Sequence, residues 1–258
     1  MKMDMLSMKL LNGSAPSALA AAALALSLAA CGSKEGGNTT APSGAPVAAV
    51  AAPAGTTWAD TVAATPDGGF RMGNPDAPVK VTEFASYTCS HCADFSKQSA
   101  EELREMVNSG KVSFELRNYV RDPLDMTMAL LARCSGPGPF FPLSEQFFAN
   151  QPAMFEKVQA MGEGPYQAAM AAPPQQRFVS LATSTGLLEF AMQRGIAQDQ
   201  GKQCLADSAA AEKLASSVQT ATEKYNISGT PTLLINDSVV ENATTWEVLR
   251  TKLKEAGV

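Results

Sequence analysis

The chain has one histidine, His91, among its 258 residues, so any catalytic or metal site that needs two imidazoles is excluded. It has 20 Lys and Arg against 25 Asp and Glu, a formal charge of −5. No basic stripe offsets that balance, which argues against nucleic acid as a partner. A phosphate-cradling P-loop is missing, as is any internal repeat. Beyond Ala30 no apolar run is long enough to cross a bilayer. From Gly32 to Thr57 aromatic and charged residues are nearly absent, and Gly, Ala, Pro, Ser and Thr take their place. Such a stretch cannot bury enough apolar surface to offset its ordering entropy, and it predicts a flexible, partly extended tether.

The N-terminus carries an address. Lys2 and Lys9 precede an apolar segment, Ala18 to Ala30, that is short for a bilayer span. It ends in Leu28-Ala29-Ala30-Cys31-Gly32, which resembles a bacterial lipobox. Signals of that kind are cleaved before the Cys, whose sulfur is lipidated; an ordinary secretory cleavage site next to a Cys is the alternative. The expected organisation is a signal peptide over 1–30, then lipidated Cys31 and a tether over 31–57, then a folded domain over 58–258. That domain of about 200 residues suffices for one core with an insertion or for two small subdomains. It would hang in the periplasm as a monomer, held to the inner or outer membrane by acyl chains alone.

Setting Cys31 aside leaves Cys89, Cys92, Cys134 and Cys204. An even number in an oxidising compartment favours disulfides, and four allow three pairings. Cys89 and Cys92 are one helical turn apart and pair most naturally with each other. Cys134 and Cys204 then form a structural staple in a helical region, with a second redox relay or two buried free thiols as the other readings.

Cys89-Ser90-His91-Cys92 sits where Val79, Val81, Phe84 and Ala85 read as a buried strand and Ala93 to Val107 as a helix. That junction puts the first sulfur at a helix N-terminus, where free N–H groups and the macrodipole favour a thiolate. Cys89 is thus the expected exposed nucleophile and Cys92 the less accessible resolving thiol. His91, between them, can stabilise the Cys89 thiolate through its N–H or as an imidazolium. Glu83 lies on the strand before the motif. If alternation turns it inward, burial raises its pKa beneath the sulfurs and lets it exchange a proton with Cys92; otherwise it points to solvent. Cys89, His91 and Cys92 could instead handle copper or zinc, but a structural zinc site wants four ligands and no fourth is evident. Met126, Met128, Met154, Met161, Met170 and Met192 are spread over helical patterns as core fillers rather than as a copper motif.

Along the rest of the domain, Phe70 to Pro75 reads as a lead-in strand and turn, and Val112 to Val120 as a strand. Asp122-Pro123 opens a helix, with Asp as cap and Pro in the first turn. Helical patterns continue to about Ser208, broken at Gly136 to Pro139, Gly162 to Pro165, Pro173-Pro174 and Gly195. A helix from Lys213 to Tyr225, a strand from Ile227 to Ile235, a short strand at Val239-Val240 and a capped helix from Thr245 to Glu255 close the chain. The order is β-α-β, a helical block over about 122–208, then β-β-α. Parallel pairing across the block needs a long crossover, which the block supplies.

With Ser228-Gly229-Thr230-Pro231-Thr232 before the late strand, the residues E-F-x-S-x-x-C-x-H-C and G-T-P-T together resemble the DsbA-like branch of the thioredoxin superfamily. The resemblance covers Trp58 to Val258 and implies an α/β thioredoxin fold with a helical subdomain inserted between its halves. It implies that Pro231 is cis and faces the CxxC, although a generic X-Pro bond is cis in only about one case in twenty. It also implies that Thr230 offers backbone hydrogen bonds to a bound peptide. The activity implied is protein thiol:disulfide oxidation, without cofactor or metal, on reduced exported proteins, with a redox partner that restores the disulfide. Ser90 replaces the proline common at its position, which softens the oxidising power. Tyr87-Thr88 replaces the Trp-Gly of thioredoxin itself. A threonine before the cis proline also occurs in isomerases, so isomerase or reductase activity stays open.

Overall fold

The computed structural model describes residues 45–258; the expected signal peptide, Cys31 and the first part of the expected tether lie outside them. The elements run β1 (Val62–Ala64), β2 (Phe70–Gly73), β3 (Val79–Ala85), α1 (Ser90–Asn108) and β4 (Val112–Asn118). Eight helices follow: α2 (Pro123–Arg133), α3 (Pro137–Ala149), α4 (Gln151–Met161), α5 (Glu163–Ala171), α6 (Pro174–Ser184), α7 (Leu187–Met192), α8 (Gln198–Ala206) and α9 (Ser208–Tyr225). The chain closes with β5 (Thr232–Ile235), β6 (Ser238–Val239) and α10 (Trp246–Glu255). This is the α/β thioredoxin fold with its helical block between β4 and the last two strands.

One sheet of order β1-β2-β4-β3-β5-β6 organises the domain. Alternation along β3 decides what lies on each side. Val79, Val81, Glu83 and Ala85 face the layer of α1, whose buried Cys92, Phe95, Ser99, Leu103 and Val107 form one stripe. Phe84 faces the other way and packs with Ala221 of α9, Ile227 and Leu234. The helical block shares its core with the sheet: Met128, Leu131, Phe140, Phe147 and Leu205 belong to the same buried cluster as Val81, Phe95 and Leu249. Three aromatic contacts, Phe70–Phe140, Phe114–Phe141 and Tyr87–Phe147, join block to sheet. Met126, Met128 and Met154 fill this core, whereas Met161 and Met170 are half-buried and Met192 is 40% exposed.

Four expectations change. First, the parallel pair is β3–β4, and α1 is its crossover; β5 returns antiparallel to β3, so pairing across the helical block is antiparallel. The block packs beside the sheet as part of its core and does not serve as a parallel crossover. Second, the late strand begins at Thr232 rather than Ile227. Asn226 ends α9 in the left-handed region, and the Thr230–Pro231 peptide is cis. A proline lacks the N–H that a ladder needs, so the strand can start only after it. Third, the segment from Ala45 to Thr57 has no helix or strand but is laid against the domain instead of hanging free. Val47 N donates to Gly257 O (2.9 Å), Val50 N to Ser109 O (2.9 Å), and Trp58 Nε1 to Val50 O (2.7 Å). Gly110 makes this approach possible: its φ is +74°, and a Cβ there would collide with the Val50 carbonyl. The composition argument missed it because backbone bonds, together with the packing of Val47 and Ala52 on the core, hold the segment. Fourth, β1 was not expected; its three residues pair with β2 and are too few to show a period.

Candidate active site

Cys89 is the N-cap residue of α1, with extended backbone (φ −96°, ψ 119°), and its carbonyl accepts the first helical bond from Ala93 N at 3.1 Å. Contrary to the expected exposed nucleophile, Cys89 is only 5% exposed, because the Thr230 segment packs over it; Cys92 is fully buried, and both are free thiols. The register Phe84↔Thr232 brings the start of β5 beside the end of β3. The cis Thr230–Pro231 peptide is thereby set against the motif, and Cys89 Sγ lies 3.1 Å from the Thr230 carbonyl oxygen, to which the thiol donates.

The two sulfurs are driven apart in acidity. The Cys89 thiol is lowered from 9.0 to about 5, chiefly by a hydrogen bond from Cys92. Burial opposes this, while Thr230, the Cys92 backbone and the Arg121 guanidinium add to it. The buried Thr230 hydroxyl has no other partner and is placed to donate once the thiolate forms. Burial pushes the Cys92 thiol well above its ordinary range, and its bond to Cys89 and the charges of Glu83 and Cys89 push the same way. His91, which the sequence puts forward as a stabiliser of the thiolate, is exposed on the first turn of α1 and is not among the groups that lower Cys89 here.

Glu83 does face inward and is 1% exposed. Its carboxyl is raised from 4.5 to about 8, first by burial and then by the Cys89 charge, and Oε1 has no hydrogen-bond partner. A cavity of about 40 Å³ opens beside it, lined among others by Ser96, Ser99 and the half-exposed Arg104–Glu145 ion pair. That volume has room for a water.

The helical block supplies residues that no motif announced. Asp125, 1% exposed in the first turn of α2, accepts from Ser86 Oγ (2.5 Å), Tyr87 N (2.8 Å) and Arg121 N (3.1 Å). Burial raises its carboxyl from 3.8 to about 7 against those three bonds. Arg121 Nε donates to Ser86 Oγ at 3.0 Å, and Thr88 Oγ1 donates to Asp122. Gln151, the first residue of α4, donates through Nε2 to the carbonyls of Tyr87 (2.7 Å) and Cys89 (3.0 Å). Tyr87 is wholly buried against Phe147 and Phe148, with its hydroxyl 2.6 Å from Ser144 Oγ. The loop from Ser86 to Cys89 is thus gripped from α2, α3 and α4. In the sequence, Arg121-Asp122-Pro123 signals only a helix start, and Gln151 carries no local signal at all.

Cys134, at the end of α2, is bonded to Cys204 of α8, with a Cα–Cα distance of 5.7 Å. Among the described residues no three His, Cys, Asp or Glu side chains are grouped to hold a metal.

Residues 65–255 match the model of a family described as thioredoxin. A solved structure, the protein-disulfide isomerase from Novosphingobium aromaticivorans, is 34% identical with a TM-score of 0.68, covering 71% of this chain and 94% of that one. Wolbachia pipientis alpha-DsbA1, at 20% identity and TM-score 0.57 over 76% of this chain and 93% of its own, shares the fold. A Rickettsia bellii protein named as a candidate protein-disulfide oxidoreductase is 24% identical over 172 residues. That match takes in 66% of this chain and 58% of the relative, so the chain spans little more than half the relative's length. With its two thiols at the head of α1, the cis proline beside them and these matches, the chain belongs to the thioredoxin family.

Proposed function

We propose that the chain is an exported, lipid-anchored oxidoreductase that donates a disulfide held between Cys89 and Cys92 to folding proteins. The observation that carries this reading is the split between the sulfurs: Cys89 is lowered to about 5 while Cys92 is held well above the thiol range. A stabilised Cys89 thiolate stabilises the reduced pair, and a disulfide whose reduced form is stabilised is an oxidant.

The exchange balances in two steps. A client thiolate attacks Cys89 Sγ, the Cys89–Cys92 bond breaks, and its electron pair leaves on Cys92, which takes a proton in its buried site. Glu83, protonated up to about pH 8, is the acid nearest that need. A second client thiolate then attacks the client sulfur of the mixed disulfide and expels Cys89 as a thiolate. The client has lost two electrons and the protein has gained them, so a partner oxidant must restore the pair. Thr230, opening β5 beside Cys89, offers backbone groups to an extended client segment.

Mixing the oxidised chain with a reduced, unfolded protein tests this. Disulfides should form in the client, and Cys89→Ser or Cys92→Ser should each abolish the reaction, because neither variant can hold the disulfide that is donated; full activity in Cys89→Ser would overturn the mechanism. The name of the Novosphingobium relative favours a second reading, isomerisation. Recovery of a scrambled disulfide protein by the reduced chain, at a rate above its oxidase rate, would favour that reading. Copper or zinc handling would instead show as tight metal binding by the reduced chain and its loss in Cys89→Ser. Anchoring rests on the Leu28 to Gly32 sequence, and radiolabelled fatty acid incorporated into the wild type but not into Cys31→Ser tests it.

A further inference from the structure

At the end of the sheet, a cavity of about 420 Å³ lies between α9, the ends of β4 and α2 and the turn at 66–68, and reaches onto the face away from Glu83. Helix α9 covers the β3–β5 half of this face, over Phe84 and Leu234. Past it the face turns charged, with Glu115 and Arg117 on β4, and the cavity sits where the apolar cover ends. Its cations are Arg117, Arg133, Lys213 and Lys224; its only carboxylate is Asp67. Arg117 is already satisfied, by Glu115 (2.8 and 3.0 Å) and Asp67 (2.9 Å).

Arg133 is not. It sits at the end of α2, where burial lowers its pKa, yet no carboxylate among the described residues pairs with it. Its polar contact is one hydrogen bond to Asn118 Oδ1 (3.2 Å), of the five a guanidinium can donate, and its flat face lies over Phe70, 4.8 Å from the centroid. Desolvated charges are ordinarily paired, because an uncompensated one is costly. The same cavity is lined by Phe84 and Tyr225, and the buried Tyr225 hydroxyl has no hydrogen-bond partner, with Lys224 standing over its ring. An acidic chain of net charge −5 therefore keeps a cationic pocket with unused donors and an aromatic wall. Its volume is in the range of small-ligand sites and well beyond that of a single inorganic ion.

We propose that this cavity binds a small organic anion, a phosphate or carboxylate group on Arg133 with its apolar part against Phe84 and Tyr225. A guanidinium fork suits both head groups, since either can accept two parallel N–H bonds. The site is separate from Cys89 and Cys92 and does not depend on their redox activity.

Calorimetric titration of the full chain with phenyl phosphate, benzoate and phenol tests this, in the wild type and in Cys89→Ser. Phenyl phosphate or benzoate should bind saturably, equally in both proteins, more weakly as salt is raised, and phenol should not. Arg133→Met keeps the stem and loses the charge; it should weaken binding about tenfold to a hundredfold, the worth of one charge-assisted pair. If that variant fails to fold, Lys213→Glu/Lys224→Glu decides instead, because both side chains are exposed. It should weaken binding severalfold and leave disulfide exchange unchanged. No binding by either anion, equal binding of phenol, or wild-type affinity in the folded Arg133 or the double-lysine variant would each overturn the proposal.

Discussion

Replacing Glu83 by Gln removes a buried acid whose cost is a function of pH. Its carboxyl titrates near 8 in the folded protein and near 4.5 when free. Between those values the unfolded chain is ionised and the native one is not, so the native state holds the extra proton and stability falls as pH rises. The shift of about 3.5 units, at about 1.4 kcal/mol each, gives about 5 kcal/mol over the whole window. Cys89 acts in the opposite sense. Its folded value, about 5, lies below its free value of 9.0, so it adds stability that is complete above pH 9 and lost as pH falls toward 5. In the reduced protein the two slopes oppose each other from pH 5 to 8, and the wild-type profile understates both. The informative quantity is the difference between Glu83→Gln and wild type. From urea unfolding of the reduced proteins at several pH values, the variant should gain on the wild type by up to about 1.4 kcal/mol per pH unit between 4.5 and 8. In the oxidised proteins the gain should stop at a lower pH, because the Cys89 charge that helps raise Glu83 is gone. A constant difference across the range would mean that Glu83 is ionised in its site, and the proton-donor role would fall with it.

Absorbance titration of the Cys89 thiolate should show Arg121→Met raising its pKa and His91→Ala leaving it near the wild-type value; a large rise in His91→Ala would restore the histidine to the mechanism. Gln151→Ala strips two buried carbonyls of their donor and should cost about 1–3 kcal/mol in denaturant unfolding, with faster hydrogen exchange in the Ser86–Cys89 loop; an unchanged midpoint would show that water replaces the amide. Cys134→Ala/Cys204→Ala opens a bridge of sequence separation 70, worth about 4 kcal/mol on the chain-entropy model. The loss should appear in stability with turnover preserved, whereas slowed turnover at unchanged stability would make the pair a redox relay.

The strand before the motif, the helix after it, the helical block and the final β-β-α were legible in the sequence because each rests on a local signal. The apolar spacing of α1, the Asp122-Pro123 start of α2 and the alternation that turns Glu83 inward are properties of neighbouring residues. The position of Cys89 at a helix N-terminus is equally local. What sets its acidity is not. Cys92 comes one turn later, but Thr230 arrives through the β3–β5 register and Arg121 through the packing of α2, contacts that chain spacing does not encode. His91 was the obvious candidate because it is adjacent in sequence, yet it is exposed, and the groups that act on Cys89 come from elsewhere in the fold. Asp125, Gln151 and Tyr87 form the grip on the loop only once the helical block has docked, and the segment from Ala45 to Thr57 is ordered by backbone bonds that composition does not record. Local periodicity determined the elements and the reactive pair; tertiary structure alone decided which groups surround the sulfurs, because those groups are distant in the chain and meet only through packing.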